Sequence, residues 1–189
     1  MAQAFELDSF IEDCKEARRA DPTHKAMREV VQRAVSDPNA VMKGLGEPTR
    51  AGVSTLYHAP DLTVLNLVWG PKMMIMPHNH GIWAVIGIYT GREDNIFWKR
   101  VAGSKDGHVE AVGAKTLGET DTEPLGHNII HSVINPLNRL TAAIHVYGGD
   151  FFGEHRSEWD PETLTEEPYS FERARKLFED SNAGLAKSA

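Results

Sequence analysis

The sequence predicts a mainly β protein, an antiparallel barrel or sandwich, preceded by helices and followed by one further helix. From about residue 52 to about residue 148, short runs rich in β-branched and aromatic residues alternate with turn-forming dipeptides at near-regular spacing. The first forty or so residues instead carry apolar side chains at helical spacing. A chain of 189 residues that is 41% hydrophobic fits one globular domain with a real core.

The N-terminal segment predicts two helices. The first is indicated by a recurrence of apolar residues at Phe5, Leu7, Phe10, Ile11 and Cys14. Asp21-Pro22-Thr23 marks a break, and a second helix is expected over residues 22–35, ending near Asp37-Pro38. Residues 43–48, which contain two glycines and a proline, predict a loop.

Seven short strands are expected after this segment, over residues 62–69, 73–80, 83–89, 94–101, 108–111, 128–134 and 141–146. Residues 160–168 then predict a surface loop, Ser170 predicts the cap of a helix that reaches residue 179, and residues 181–189 predict a frayed tail. The expected organisation is one domain, with a helical segment (1–48) packed on a barrel (49–157) and a C-terminal loop and helix (158–189).

Composition excludes several function classes. A single cysteine, Cys14, rules out an internal disulfide and a cysteine-based zinc cluster. A net charge of −7 argues against a nucleic-acid partner. No apolar run is long enough to cross a bilayer, so no membrane partner is expected. The acidic, amphipathic stretch from Met1 to Cys14 does not resemble a signal peptide, which makes the cytoplasm the expected location.

The most informative motif is the pair His78 and His80. Residues two apart in a strand point to the same face, so both imidazoles could reach one metal ion. The alternative is two polar side chains on a solvated face. The flanking residues 73–77 and 82–86 are almost entirely apolar, which favours the interior of a barrel.

Two segments resemble the signature motifs of the cupin family. The first motif is a glycine, H-x-H, an acidic residue and a second glycine, and the second motif is a glycine, P-x-G, a histidine and an asparagine. The matching positions are Gly70, His78, His80 and Gly91 for the first, with the acidic position falling on Ala84 or Val85, and Gly118, Pro124, Gly126, His131 and Asn135 for the second. The second match departs from the pattern by four residues rather than two between Gly126 and His131.

The cupin resemblance implies a double-stranded β-helix, the jelly-roll barrel of that family, and metal ligation by His78, His80 and His131. Because the acidic position holds alanine or valine, it implies the subgroup that binds metal through three histidines alone. His127 is an alternative third ligand, since it also lies near the second motif. Asn135, which follows His131 at the family's spacing, favours His131.

Three stretches further resemble the cysteine dioxygenase type of cupin, the thiol dioxygenases. They are Trp69-Gly70 with residues 78–87, His131 with Asn135, and residues 144–148. This resemblance implies bound iron(II) and a catalytic pair, His145 and Tyr147, on one strand face. The family's relay serine is replaced by Ala143, so His145 needs another partner.

The resemblance also bears on substrate binding. The arginine that binds the substrate carboxylate in cysteine-oxidising members is absent from residues 54–57. Arg156, nine residues after Tyr147, matches its place in members acting on 3-mercaptopropionate, although a plain surface arginine is the alternative. Trp83 is expected in the cavity wall beside the substrate.

The sequence thus predicts an iron(II)-dependent dioxygenase that oxidises a small thiol, such as cysteine or 3-mercaptopropionate, to a sulfinate with O2. Zinc or nickel could occupy the same ligands in a purified sample. Two alternatives stay open: a three-histidine dioxygenase acting on another chelating substrate such as a diketone, and a cupin that binds a metal or small molecule without turnover. The expected partners are the small substrate and O2, and the protein is expected to be a monomer or homodimer.

Overall fold

The computed structural model describes residues 4–188, which form four helices and eleven strands. The helices are α1 (Leu7–Ala20), α2 (Lys25–Val35), α3 (Pro38–Leu45) and α4 (Phe171–Ser188). The strands are β1 (Gly52–Ala59), β2 (Leu62–Trp69), β3 (Met74–His78), β4 (Ala84–Thr90), β5 (Arg92–Arg100), β6 (Val109–Gly118), β7 (Thr122–Leu125), β8 (Ile130–Ile134), β9 (Thr141–Tyr147), β10 (Ser157–Trp159) and β11 (Glu166–Pro168).

The strands form two sheets in which all paired strands are antiparallel. The first sheet has the order β1-β2-β9-β4-β7 and the second has the order β11-β10-β3-β8-β5-β6. From β2 to β5, and again from β6 to β10, the chain passes back and forth between the two sheets. This is the alternation of a double-stranded β-helix. The predicted fold class, mainly β with N-terminal helices and a C-terminal helix, is confirmed.

The central strands β2, β9 and β4 of the first sheet are buried on both faces, which explains why they are mostly apolar. In β9, Ile144 and Val146 belong to the same buried cluster as the residues of α1 and α2, whereas Ala143 and Tyr147 belong to the cluster between the sheets. Helix α2 lies so close to β4 that a Cβ at Gly87 would be 2.4 Å from Val31. The two-residue period of each strand therefore decides which side chains face the helices and which face the interior.

Helix α4 packs against the inner core and extends further than predicted. Phe178 joins this core and stacks on Trp69, with ring centroids 5.5 Å apart. Asn182 exchanges two hydrogen bonds with the backbone of Ala51, at 2.8 and 2.9 Å. Because these contacts anchor the last turns, the helix does not end at residue 179, and the frayed tail expected from residue 181 is wrong up to Ser188. Residue 189 lies outside the described residues, as do residues 1–3 of the predicted N-terminal segment.

Other elements also differ from the prediction. Pro38 begins a third helix instead of ending the second, because Asp37 caps it by accepting a hydrogen bond from the Ala40 amide at 3.0 Å, and proline is tolerated in a first helical turn. The residues expected to form a loop from 160 to 168 include a strand. The strands that the sequence did not predict are β1, β7, β10 and β11.

Within residues 4–188, no helix combines the length and the apolar character needed to span a membrane.

Candidate metal centre and its cavity

Three buried histidines converge inside the barrel, on its second sheet. His78 ends β3 and pairs directly with His131 of the neighbouring strand β8. His80 lies beyond the end of β3, so the prediction that His78 and His80 share one face of a single strand is wrong. The ring centroids are 4.6 Å apart for His78 and His131, 5.0 Å for His78 and His80, and 5.1 Å for His80 and His131.

A turn brings His80 back to this cluster. Gly81 has a φ of +69°, a conformation that glycine adopts at little cost. Asn79 anchors the turn to β10: its side chain accepts a hydrogen bond from the Ser157 amide at 2.9 Å, and its own amide donates to the Ser157 carbonyl at 3.1 Å. The loop geometry, rather than strand alternation, therefore places the second histidine of the pair.

Hydrogen bonds fix the orientation of two of these rings. His78 Nδ1 donates to the Met76 carbonyl at 2.9 Å, and His131 Nδ1 donates to the side-chain oxygen of Asn95 at 2.7 Å. A neutral imidazole that carries its hydrogen on Nδ1 has a free lone pair on Nε2. His131 Nε2 is buried and has no hydrogen-bond partner among the described residues. Such an atom is well suited to ligate a metal.

The electrostatics of the cluster keep the three rings neutral near pH 7. Burial lowers the pKa of His78 to about 4. Burial, and then the neighbouring histidines, lower the pKa values of His80 and His131 well below the usual range. Metals bind the neutral form of imidazole, so this shift favours ligation.

The cluster fits a divalent metal ion. One ligand atom from each of His78, His80 and His131 lies within 4.8 Å of the others, and all three residues are buried. At the family's acidic position, Ala84 belongs to the inner core and Val85 to the helix-facing core, and neither provides an oxygen. His127, the alternative ligand, is exposed in the loop before β8 and lies outside this group.

His145 and Tyr147 approach the cluster from the first sheet. Their side chains point inward from β9 and are joined by a hydrogen bond of 3.1 Å between His145 Nδ1 and the Tyr147 hydroxyl. The Tyr147 ring lies 5.1 Å from the His80 ring. Burial raises the pKa of Tyr147, so the phenol stays protonated. The structure therefore brings together the predicted ligands and the predicted pair in one site.

Two residues of this site were missed from the sequence. Glu93 and Asn95 are fully buried on β5, and their side chains are joined by a hydrogen bond of 2.9 Å. Asn95 in turn holds His131, and Glu93 Oε2 lies 3.9 Å from His145 Nε2. Glu93 is thus the acidic side chain beside His145 Nε2, although this nitrogen makes no hydrogen bond among the described residues. An acidic residue and an amide two positions apart on a predicted inner strand are the signal that could have revealed them.

The histidines line a cavity of about 330 Å³. Its wall is mostly apolar and includes Leu65, Trp69 and Val133 from the strands and Phe178 from α4. Arg50 and Arg175 also line it. A small organic molecule therefore fits beside the three imidazoles, with apolar surroundings on most sides.

Arg156 lies one layer behind this cavity. Its guanidinium carbon is 3.9 Å from the Phe151 ring centroid and 4.0 Å from that of Tyr169, and both of these rings line the cavity. The residue is only 9% exposed, and within residues 4–188 none of its guanidinium nitrogens has a hydrogen-bond partner. Burial lowers the pKa of this guanidinium. Arg156 is thus an interior cation whose donors are free, not a surface arginine.

Trp83 does not reach the cavity. It belongs to the cluster between the first sheet and the helices, and its indole nitrogen donates to the Pro22 carbonyl at 2.9 Å. The reason is strand parity: Trp83 faces the same way as Val85, whereas Ala84 and Ile86 face the interior. Trp83 therefore cannot contact a substrate in this cavity, and the predicted role is wrong.

No family model matches the chain. Among solved structures it is similar to oxalate decarboxylase from Bacillus subtilis, at 16% identity and a TM-score of 0.42 over 57% of this chain and 28% of that chain. It is also similar to a Cupin 2 conserved barrel domain protein from Salinispora arenicola, at 19% identity and a TM-score of 0.40 over 51% of this chain and 74% of that one. A Klebsiella pneumoniae protein with a double-stranded β-helix domain matches at 14% identity and a TM-score of 0.41, over 55% of this chain and 78% of that one. The chain spans less than a third of the oxalate decarboxylase, and no function is transferred from these proteins.

Proposed function

We propose that the protein is an iron(II)-dependent dioxygenase that converts a small thiol to a sulfinate. The donor set carries the proposal: three buried, neutral imidazoles converge without a carboxylate ligand, facing a hydrogen-bonded histidine–tyrosine pair. Three neutral ligands leave the double charge of a divalent cation uncompensated and half of an octahedral sphere open. This arrangement favours a substrate that binds as an anion, such as a thiolate, next to a position for O2.

The overall reaction is RSH + O2 → RSO2⁻ + H⁺. Both oxygen atoms join the sulfur, the S–H and O–O bonds break, and the electrons that the sulfur loses are those that O2 gains. Bound iron(II) would lower the pKa of the thiol and provide the redox centre through which electrons pass from sulfur to O2. The protein's own part is to orient the reactants and to keep the apolar cavity largely free of water.

Tyr147 is the polar group that faces the histidine cluster from the opposite sheet. Its hydroxyl is held by His145 at 3.1 Å, so its position is fixed before substrate arrives. We assign to Tyr147 the hydrogen bond to the substrate or to oxygen, and to His145 the positioning of that hydroxyl.

Arg156 favours a substrate that carries a carboxylate. Its unpaired guanidinium is separated from the cavity by the rings of Phe151 and Tyr169, and its charge helps to lower the pKa values of His78 and His80. This charge lies one layer of rings from the cavity, where it can attract the carboxylate of 3-mercaptopropionate or cysteine without a direct hydrogen bond.

The test is oxygen uptake and product analysis with anaerobically iron-loaded protein and a panel of thiols. We expect uptake of one O2 per sulfinate formed with at least one carboxylate-bearing thiol. Tyr147→Phe should retain iron and lose roughly 100-fold in rate, since a positioned proton donor or acceptor contributes about that factor. Tyr57→Phe, which alters a tyrosine beneath Lys15 on the outside of the barrel, is the matched control. No uptake with any thiol at saturating iron would overturn the proposal.

The role of Arg156 has a separate test. Arg156→Met should raise KM for 3-mercaptopropionate much more than KM for the neutral thiol 2-mercaptoethanol. Arg139→Met, at an exposed arginine paired with Glu119, is the control and should change neither value. Equal effects of Arg156→Met on both thiols would refute an electrostatic role of Arg156 in substrate binding.

The apolar wall of the cavity favours a second candidate, a three-histidine dioxygenase that acts on an apolar chelator such as a diketone. Leu65, Val133 and Phe178 give the cavity an apolar lining that suits such a chelator. Uptake of O2 with a diketone, and with no thiol, would select this candidate. Metal binding without uptake for either class would select a cupin that binds small molecules without turnover.

A further inference from the structure

Glu93 is a buried carboxylate that the proposed reaction does not use. It is 0% exposed and lies on β5, behind the histidine cluster. Each of its oxygens accepts one hydrogen bond, Oε1 from the Asn95 side chain at 2.9 Å and Oε2 from the Trp69 indole at 2.8 Å. Among the described residues, the basic side chain that lies within 4 Å of it is His145, whose Nε2 is 3.9 Å away and makes no hydrogen bond.

This carboxylate joins two branches of the site. One branch runs from Glu93 through Asn95 to Nδ1 of His131, which is held at 2.7 Å with its Nε2 free. The other runs across the interior to His145, whose Nε2 is 3.9 Å from Glu93 Oε2, and then to the Tyr147 hydroxyl. A single side chain is therefore hydrogen-bonded to the support of a candidate ligand and also lies next to the histidine of the candidate pair.

The position of the charge explains why a carboxylate is kept here. An interior carboxylate without a cationic partner lowers stability, because desolvation is not repaid. Three neutral imidazoles around a divalent cation leave an excess of positive charge at the same site. A carboxylate one hydrogen-bonded amide away from a ligating imidazole compensates part of that charge and fixes the ligand's orientation.

We propose that Glu93 is a positioning residue of the metal site, which orients His131 through Asn95 and places a negative charge beside the His145 ring. The inference rests on the metal site of the proposed function, but not on the reaction catalysed there. It also predicts a change that a merely structural role would not produce. Removing the charge should weaken metal binding and alter the geometry of the bound ion.

The experiment compares Glu93→Gln with the wild type in two assays, Co(II) affinity with its visible absorption spectrum, and urea unfolding of the metal-free protein. The variant keeps the shape of the side chain and removes its charge. We expect Co(II) affinity to fall by about 10- to 100-fold, as for other losses of support behind a ligand, with a changed Co(II) spectrum. The metal-free variant should be somewhat less stable than the wild type, because glutamine offers one acceptor oxygen to the two donors Asn95 and Trp69. Asp94→Asn is the matched control, since it removes a neighbouring charge on the same strand that is paired outward with Arg92.

A merely structural role would lower the stability of the metal-free protein and leave the Co(II) affinity and spectrum unchanged, and that result would overturn the proposal. Failure of the wild type to bind Co(II) would overturn it too. A protein that oxidises no thiol, but whose Glu93→Gln variant loses Co(II) affinity, would refute the proposed function and leave the role of Glu93 standing. A protein that oxidises a thiol, but whose Glu93→Gln variant binds Co(II) as the wild type does, would support the proposed function and refute the role of Glu93.

Discussion

Mild acid should destabilise the metal-free protein, and the histidine cluster sets the size of the effect. His78, His80 and His131 have lowered pKa values in the folded state because they are buried, so they stay neutral there. In the unfolded chain the same rings bind protons as the pH falls below about 6.5. Since the unfolded state then binds more protons than the folded state, the free energy of unfolding falls with falling pH.

The magnitude follows from the pKa values. His78, with a pKa lowered from 6.5 to about 4, loses its contribution between these two pH values. Between about pH 7.5 and about pH 5.5 that amounts to about 1.3 kcal/mol for one histidine, and about 4 kcal/mol for three. Burial raises the pKa of Glu158, so its protonation in the folded state stabilises the protein as the pH falls. The loss of about 4 kcal/mol is therefore an upper bound. Carboxylates with lowered pKa values, such as Asp150, lose their contribution only at lower pH.

The assay is urea unfolding of chelator-treated protein at about pH 7.5 and about pH 5.5, where the linear extrapolation gives the free energy of unfolding. His131→Leu should reduce the pH-dependent loss by about a third, because one of the three titrating rings is removed. His155→Gln, at an exposed histidine, should leave the loss unchanged. A loss of less than about 1 kcal/mol in the wild type would refute the reasoning, since even one buried neutral histidine exceeds it.

Two packing predictions accompany this one. In a thermal unfolding assay, Gly148→Ala should lower stability by about 3 kcal/mol or more, because the new Cβ would lie 2.0 Å from the Trp83 ring. Gly113→Ala is the control and should be nearly neutral, because no atom that the structure describes lies within 4 Å of its new Cβ. Phe178→Ala should lower stability by about 3 kcal/mol, because it removes the ring that stacks on Trp69. It should also admit a solvent-polarity dye to the cavity that Phe178 lines. Unchanged unfolding and no dye binding would show that α4 does not close the cavity.

Those parts of the fold that depend on local pattern were predictable. Strands β2, β4 and β9 carry β-branched and apolar residues along their length because both of their faces are covered, and the sequence shows this directly. Helices α1 and α2 have clear apolar faces. Helix α3 was missed because Pro38 was interpreted as a stop, although Asp37 before it is a capping residue. Strands β10 and β11 have three residues each and exist through their pairing, which no local pattern reveals.

The site was predictable where residues share a strand and unpredictable where strands meet. The pairing of His145 with Tyr147 follows from their two-residue spacing on β9. The contact between Asn95 and His131 depends instead on the register of β5 against β8, in which Phe97 stands opposite His131. The same holds for Glu93, which meets His145 across the two sheets. Trp83 shows that the alternation of side chains along a strand predicts a residue's position better than a motif match does. This alternation turns Trp83 toward the helices and away from the cavity.

The most direct test of the account is the metal content of two single variants. Anaerobic titration of the metal-free wild type with Fe(II), followed by metal analysis after desalting, should give one ion per chain. His131→Ala should lose this ion, because it removes a buried ligand whose Nε2 has no other partner among the described residues, whereas His127→Ala should bind as the wild type does. Retention of iron by His131→Ala, or its loss in His127→Ala, would contradict the three-histidine site.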